Sequence, residues 1–270
     1  METKKRRRRR RRKRKQEKKN TMSIIIMVIA LGVFAFSGYK LLDIFLEYQK
    51  GSNEYKDLQQ IAIQTVIPDG PEGEQGPKFT VDFDTLKEIN SEVVAWIRFD
   101  NPDKISYPVV HSGDNAKYLK RTFEGKRNGA GTLFVDMSNS KLFTDRNTFI
   151  YGHNMKDGSM FGKLRQYKSK EFCEENPYFY IYTPDGMVST YQVFATCIVK
   201  DTSKTYTTWY NNDTEFADYI KHIRGISLYK TDVEVKETDL IVSLSTCTNV
   251  VVDERLVVHG VKISSEPMGE

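Results

Sequence analysis

The chain has 270 residues, enough for one domain with attachments, and 39% of them are hydrophobic, enough for a core. The formal net charge of +5 is unevenly spread: residues 1–20 hold 14 Lys and Arg against Glu2 and Glu17, a net of +12, and the other 250 carry 27 Lys and Arg against 34 Asp and Glu, a net of −7. That mildly acidic remainder speaks against a nucleic-acid partner, and the three cysteines Cys173, Cys197 and Cys247, an odd number with no CxxC or HxxxH spacing, speak against a disulfide framework or a zinc site.

Residues 1–20 form a basic tail with an unbroken arginine run from Arg6 to Arg12. Twenty uncharged residues follow, Asn20 to Tyr39, rich in Ile, Val, Leu, Met and Phe. At about 1.5 Å per residue they span the roughly 30 Å hydrocarbon core of a bilayer. The expectation is a single N-terminal transmembrane helix over 21–42, uncleaved because no A-x-A site follows it. The positive-inside rule puts the tail in the cytoplasm and the C-terminal bulk outside. Residues 43–78 read as juxtamembrane helices and a linker. Leu41 to Gln49 continue the first helix, and Asn53 caps a second one with Tyr55, Leu58, Ile61, Ala62 and Val66 on one side. Pro68 to Pro77, with three prolines and three glycines, reads as the linker. Asp82 or Asp84 caps a short helix carrying Leu86 and Ile89.

From Val93 the pattern turns to short strands, predicted at Val93–Phe99, Ile105–Val110, Gly131–Asp136, Thr148–Tyr151, Tyr178–Thr183, Ser189–Val199, Asp239–Ser245 and Arg255–Ile263. Short helices are predicted at Asp114–Thr122 and Ser159–Tyr167. A longer one runs over Thr214–Leu228, with Phe216, Tyr219, Ile220 and Ile223 on one side. Ser264–Glu270 reads as a loose tail.

Chemistry concentrates at Ser243-Leu244-Ser245-Thr246-Cys247 and Arg255. The cysteine ends one predicted strand and the arginine starts the next, so a short connection sets thiol and guanidinium on one face. A nearby cation favours the thiolate, the nucleophilic form. The arginine cannot act as a base, but its fork of donors suits a developing oxyanion. The plain alternative is a buried structural cysteine beside a surface arginine. His153, in Phe149-Ile150-Tyr151-Gly152-His153-Asn154-Met155, shifts the balance, because it too follows a predicted strand, where reactive groups gather on a rigid scaffold. The order His, Cys, Arg and the missing signatures argue against papain-like proteases and caspases. Cys197 reads as a buried strand residue and Cys173, among charged neighbours, as incidental. His259, four residues after Arg255 on the same strand, is the other histidine of interest.

Tyr151-Gly152-His153-Asn154-Met155-Lys156-Asp157-Gly158-Ser159-Met160-Phe161, together with Leu244-Ser245-Thr246-Cys247 and Arg255, resembles a class B sortase, a cysteine transpeptidase of Gram-positive bacteria. The family signature T-L-x-T-C has Ser243 at its first position here. The resemblance covers about residues 80 to 263. It implies a mainly β, α+β fold: an eight-stranded sortase-type β-barrel with N-terminal helices packed on it and a helix before the cysteine strand, over 79–264, with 265–270 as tail. The count of eight strands leans on that resemblance. It also implies that Cys247 attacks the carbonyl of a threonine-like residue in the C-terminal sorting signal of a surface protein. Arg255 would stabilise the oxyanion, and His153 would act as general acid and then general base. The acceptor would be an amino group of peptidoglycan or its lipid-linked precursor, or a pilin lysine. No metal or organic cofactor is called for. Asn115 and Leu119 resemble positions that contact the signal peptide; Ser245 and Thr246 line the groove or simply pack in their strand; Tyr206, Thr207 and Tyr210 face the groove or are loop residues. A thiol hydrolase using the same trio, or a binding protein that kept the fold, are the competing readings.

Overall fold

The computed structural model describes residues 2–66, 78–102 and 105–269, which fall into two compact units, one ending at Gln49 and one starting at Lys50. Helix α1 (Glu2–Ala62) carries the apolar run. From Met22 to Leu46 its large apolar side chains are exposed, and among the described residues it alone is long and apolar enough to cross a membrane. The predicted break before Asn53 does not form, and Gly51 and Asn53 lie inside α1. No proline interrupts this stretch, Leu, Glu, Lys and Gln dominate the turns on either side, and the glycine costs only about 1 kcal/mol. Within the second unit, the last turns of α1 bury Tyr55, Leu58 and Ala62 in the core, whereas Ile61 is exposed. Val66 lies in strand β1 (Ile63–Val66), which pairs antiparallel with β2 (Lys78–Val81). The predicted linker Pro68–Pro77 lies outside the described residues. Helix α2 (Phe83–Ile89) is capped by Asp82, whose carboxylate accepts from the Thr85 N–H at 3.0 Å.

All eight predicted strands are present. They are β3 (Val93–Arg98), β4 (Ser106–Val110), β5 (Leu133–Val135), β6 (Asn147–Tyr151), β7 (Tyr178–Thr183), β8 (Met187–Lys200), β9 (Ile241–Cys247) and β10 (Glu254–Pro267). They close into a barrel in the order β10-β8-β7-β3-β4-β5-β6-β9. Closure removes the exposed edges that an open sheet would leave. Two neighbouring pairs are parallel, β4 with β5 and β6 with β9; the rest are antiparallel. The predicted loose tail is partly strand, because β10 continues to Pro267 and pairs with the start of β8 at Met187. There the backbone groups of residues 264–267 find ladder partners that solvent would otherwise supply.

Alternation on the strands points Ile97, Val109, Leu133, Ile150, Phe179, Ile181 and Leu244 into a central core. A second apolar cluster sits outside the sheet, where α4 (Asp213–Ile226) lays Phe216, Tyr219, Ile220 and Ile223 against Phe149, Phe194, Cys197 and Val257. The 3, 4, 7 spacing of those helix residues is the amphipathic stripe that the sequence predicts. Asn212 caps α4 by accepting from the Glu215 N–H at 2.9 Å, and the Glu215 carboxylate accepts from the Asn211 N–H. Cys173, expected to be incidental, is buried on α3 (Lys170–Glu175). Its charged neighbours occupy the helix's outer face, which a run of sequence neighbours cannot reveal.

A buried polar chain ties three strands together below the upper rim. The Ser243 hydroxyl lies 2.7 Å from both Asn147 Oδ1 and His259 Nδ1. One hydroxyl hydrogen serves one acceptor, so Ser243 donates to Asn147 and His259 Nδ1–H donates to Ser243. His259 Nε2 then has no hydrogen-bond partner among the described residues. His259 does lie four residues along from Arg255, but it is fully buried, and burial pushes its pKa from 6.5 down to about 3. A group that stays neutral in the fold yet protonates in the unfolded chain lets the unfolded state bind more protons. Stability therefore falls as pH drops from about 6.5 toward 3, by up to about 1.4 kcal/mol per pH unit from this one residue. Urea unfolding between pH 7 and 4 should show that loss, and His259→Gln should make the slope shallower by close to one proton. An unchanged slope in the variant would contradict the buried neutral imidazole.

Candidate active site

Three adjacent strands set the site. β6 pairs parallel with β9 so that Tyr151 lies opposite Ser245, and β10 pairs antiparallel with β9 so that Arg255 lies opposite Cys247. The Gly152 N–H continues the ladder to the Ser245 carbonyl at 3.1 Å. Two residues past Tyr151 is His153, and two past Ser245 is Cys247. His153, Cys247 and Arg255 thus occupy one level across strands spaced about 4.8 Å apart. All three line one cavity of about 220 Å³, together with Asn115, Leu119, Thr132, Phe134, Tyr151, Gly152, Ser245 and Thr246.

The histidine is held from behind. His153 Nε2 lies 2.7 Å from the Leu119 carbonyl oxygen. A carbonyl can only accept, so Nε2 carries its proton there and Nδ1 is the nitrogen available for proton transfer. The loop that presents Leu119 is fixed at Gly131, where φ is +62° and a Cβ would come within 2.5 Å of the Tyr118 carbonyl oxygen. Only glycine fits that backbone and that space. Tyr55, on the last turns of α1, donates its hydroxyl to the Gly131 carbonyl at 2.5 Å and touches Thr132 Oγ1 at 3.0 Å. Gly152 is needed for a different reason: a Cβ there would press on Leu133 Cδ2 at 2.3 Å and on the Phe161 ring.

Cys247 is partly exposed, whereas Cys173 and Cys197 are buried. Burial raises both of those thiols, Cys197 to about 12, which leaves them protonated and inert near neutral pH. The Cys247 carbonyl accepts from Asn154 Nδ2 at 2.7 Å, which anchors the strand end beneath the thiol. Arg255 is positioned by Asp201, whose carboxylate lies 3.0 Å from one Nη, and by the Val252 and Glu254 carbonyls at 2.9 and 3.1 Å. Three of its five N–H donors are so engaged, and two remain for a ligand.

The four expected peptide contacts all line the cavity. Asn115 lies just before the one-turn 3₁₀ helix Lys117–Leu119, shorter than the predicted Asp114–Thr122 helix. Its amide is committed to Asp136 Oδ2 at 2.9 Å and to the Met137 N–H at 2.8 Å. Leu119 is a large apolar side chain left exposed at the rim. The Ser245 hydroxyl lies 2.8 Å from the Tyr206 hydroxyl, while the buried Thr246 Oγ1 has no partner among the described residues. Tyr206 stacks near Tyr151 and Phe149; Tyr210 instead packs on Phe216 and Tyr219 of α4.

A second, more polar cavity of about 310 Å³ adjoins the first through Tyr151, Ser245 and Arg255, and adds Asp136, Ser138, Asp201, Tyr206 and Thr208. Burial raises Asp136, but hydrogen bonds from Ser138, Tyr151 and Asn115 outweigh it and hold the carboxylate below its usual range. Burial pushes the Tyr206 phenol up to about 12, opposed in part by Arg255. Sequence reading missed Asp136, Tyr151 and Asp201. Asp201 reaches Arg255 only because the β8–β10 ladder sets Lys200 opposite Glu254, a register with no local signature.

Three comparisons bear on this arrangement. The Sortase domain family model matches residues 100–263. Sortase B of Listeria monocytogenes is 32% identical over 222 residues, covering 82% of this chain and 87% of that protein. The crystal structure of Bacillus anthracis sortase B in complex with AAEK1 superposes with a TM-score of 0.69 at 33% identity, covering 82% of this chain and 100% of that one. A Staphylococcus aureus sortase B–substrate complex superposes with a TM-score of 0.68 at 25% identity, covering 81% and 99%.

The thiols separate by chemistry before any substrate is added. Iodoacetamide at pH 7.5 should label the native chain at Cys247 alone, with Cys173 and Cys197 reacting only after denaturation. Labelling of either buried cysteine at a comparable rate would contradict the geometry.

Proposed function

The chain belongs to the sortase family, as a class B cysteine transpeptidase, and on that premise we propose that it cleaves a C-terminal sorting signal of surface proteins and passes the acyl group to an amine of the cell wall or its lipid-linked precursor. The observation that carries this reading is one cavity shared by Cys247, His153 and Arg255. Cys247 passes its thiol proton to His153 Nδ1, and the thiolate attacks the carbonyl carbon of the residue before the cleaved bond, read as threonine. Arg255 stabilises the oxyanion with its uncommitted N–H donors, and His153 Nδ1 gives its proton to the departing amine as the C–N bond breaks. The thioacyl-enzyme then meets a neutral acceptor amine; His153 takes the amine's proton, a new amide forms and the thiolate leaves. The donor peptide lies against Leu119, Phe134 and Tyr151, with Asn115, Ser245 and Thr246 as further contacts. The Staphylococcus aureus relative was solved as a substrate complex, which supports a peptide donor. A pilin lysine is the alternative acceptor.

The domain reading completes the picture: residues 1–20 as cytoplasmic tail, 21–42 as anchor, 43–78 as juxtamembrane segment, and from 79 the catalytic domain outside the membrane, whose last strand runs past the expected boundary at 264 to Pro267. The charge of the first 20 residues supports that orientation. Protease added to intact protoplasts should remove the segment after about Gly51 and spare the N-terminus; a protected C-terminal domain would overturn the orientation.

The reaction itself is tested with the full-length chain in detergent micelles, peptides of the N-P-x-T-N and L-P-x-T-G types, and triglycine as amine. An amide product formed at the expense of the hydrolysis product is expected; hydrolysis alone, at any triglycine concentration, would make the enzyme a thiol hydrolase. In the same assay Arg255→Ala should slow acylation by about 10²–10³, and Arg255→Lys should recover only part of the loss because the planar fork is gone. Full recovery in lysine, or in the alanine variant near pH 8.5, would assign Arg255 to thiol ionisation instead.

A further inference from the structure

Cys247 lines another cavity that neither His153 nor Arg255 lines. It encloses about 220 Å³, and its walls are Asn154, Lys156, Arg165, Lys168, Thr248, Asn249 and Leu256. Three of these residues are cations and none is a carboxylate. None of the three is ion-paired among the described residues. The nearest acid in sequence, Asp157, turns its carboxylate to the Ser159 N–H and hydroxyl at 3.0 and 2.7 Å. The frame is built on the cysteine itself: Asn154 Nδ2 donates to the Cys247 carbonyl at 2.7 Å, and Asn249 Nδ2 donates to the Asn154 carbonyl at 2.7 Å. Asn249 is held at a φ of +61°, a left-handed conformation that asparagine tolerates better than most residues.

A transpeptidase must reach its thioacyl carbon from two sides. The acyl chain fills one approach. The departing amine and the incoming amine share the other, since the second half-reaction retraces the first. With the acyl chain in the cavity of Leu119 and Phe134, this cationic cavity offers a second approach to Cys247. Its lining repels an ammonium, which favours the neutral, nucleophilic form of an amine. The same lining attracts a negative group beside that amine.

We propose that Lys156, Arg165 and Lys168 form the acceptor subsite, which recognises the incoming amine through an anionic group, carboxylate or phosphate, carried on the same molecule. This rests on the reading that the thioacyl-enzyme is resolved by an amine.

The test uses the full-length chain in detergent micelles, a cleavable donor peptide, and three acceptors that differ only at their far end: triglycine with a free carboxylate, its neutral amide, and its phosphonate analogue. The wild type should show a KM about tenfold lower for the better anionic acceptor than for the amide, the size expected of one or two charge-assisted hydrogen bonds. Which anion is favoured identifies the group. The triple variant Lys156→Gln, Arg165→Gln, Lys168→Gln should lose the preference, while cleavage without amine of a C-terminally amidated donor, whose leaving fragment carries no anion, stays within about twofold and the melting temperature is kept. Single variants, each at an exposed side chain, should lose it in part. Salt at 0.5 M should erode the preference in the wild type. Equal KM values for amide and anionic acceptors in the wild type, or a preference that survives the triple variant, would overturn the subsite and leave the transpeptidase reading intact. Donor cleavage with transfer to none of the three would overturn both.

Discussion

The parallel pairing of β6 with β9 is the constraint on which the site depends. An antiparallel hairpin brings sequence neighbours together, and the β9–β10 connection does so for Cys247 and Arg255. His153 lies 94 residues before Cys247 in the chain and needs a ladder of long range to meet it. The register Tyr151 opposite Ser245 supplies that ladder. Because side chains alternate along a strand, a slip of one residue would turn His153 or Cys247 to the other face. The buried link from Asn147 through Ser243 to His259 joins the same three strands lower down and opposes such a slip. Leaving any of those polar groups unpaired would cost about 1–3 kcal/mol. A threonine at position 243 would carry the same hydroxyl, which accounts for serine standing in the family signature.

From that level outward, each reactive group is oriented by a partner. The Leu119 carbonyl fixes the imidazole, Asp201 and two loop carbonyls fix the guanidinium, and Asn154 fixes the backbone under the thiol. The loop behind His153 is braced by Tyr55, so the last turns of α1 stabilise the acyl-transfer cavity as well as packing on the barrel. The cavities that meet at this level differ in lining. One is edged by Leu119 and Phe134, a second carries Asp136 and Asp201, and a third carries three cations without an ion pair among the described residues. On that contrast rests the proposed division between a donor peptide and an amine-bearing acceptor.

Much of this was legible in the sequence because it has short-range signatures. Strands read from β-branched runs, α4 from its apolar spacing, and Cys247, His153 and Arg255 from strand ends and motif resemblance. What failed to read is long-range. Asp201, Asp136 and Tyr151 enter the site through ladder register and packing. Cys173 is apolar in context only once α3 folds over its neighbours. His259 shares a strand with Arg255, and its burial under the α4 cluster removes it from proton chemistry near neutral pH. Asn53 looked like a cap because caps are judged from local residues, whereas α1 simply continues through it.

The central claim is that acyl transfer passes through a covalent bond to Cys247 in the cavity it shares with His153 and Arg255. Its most direct test is peptide-mapping mass spectrometry of the full-length chain, quenched in acid during turnover of a cleavable sorting-signal peptide without amine. The account predicts a thioacyl adduct with the mass of the donor's N-terminal fragment on Cys247, absent from Cys247→Ala and discharged when amine is added. Donor cleavage with the acyl group on Cys173 or Cys197, or cleavage that persists in Cys247→Ala, would contradict it.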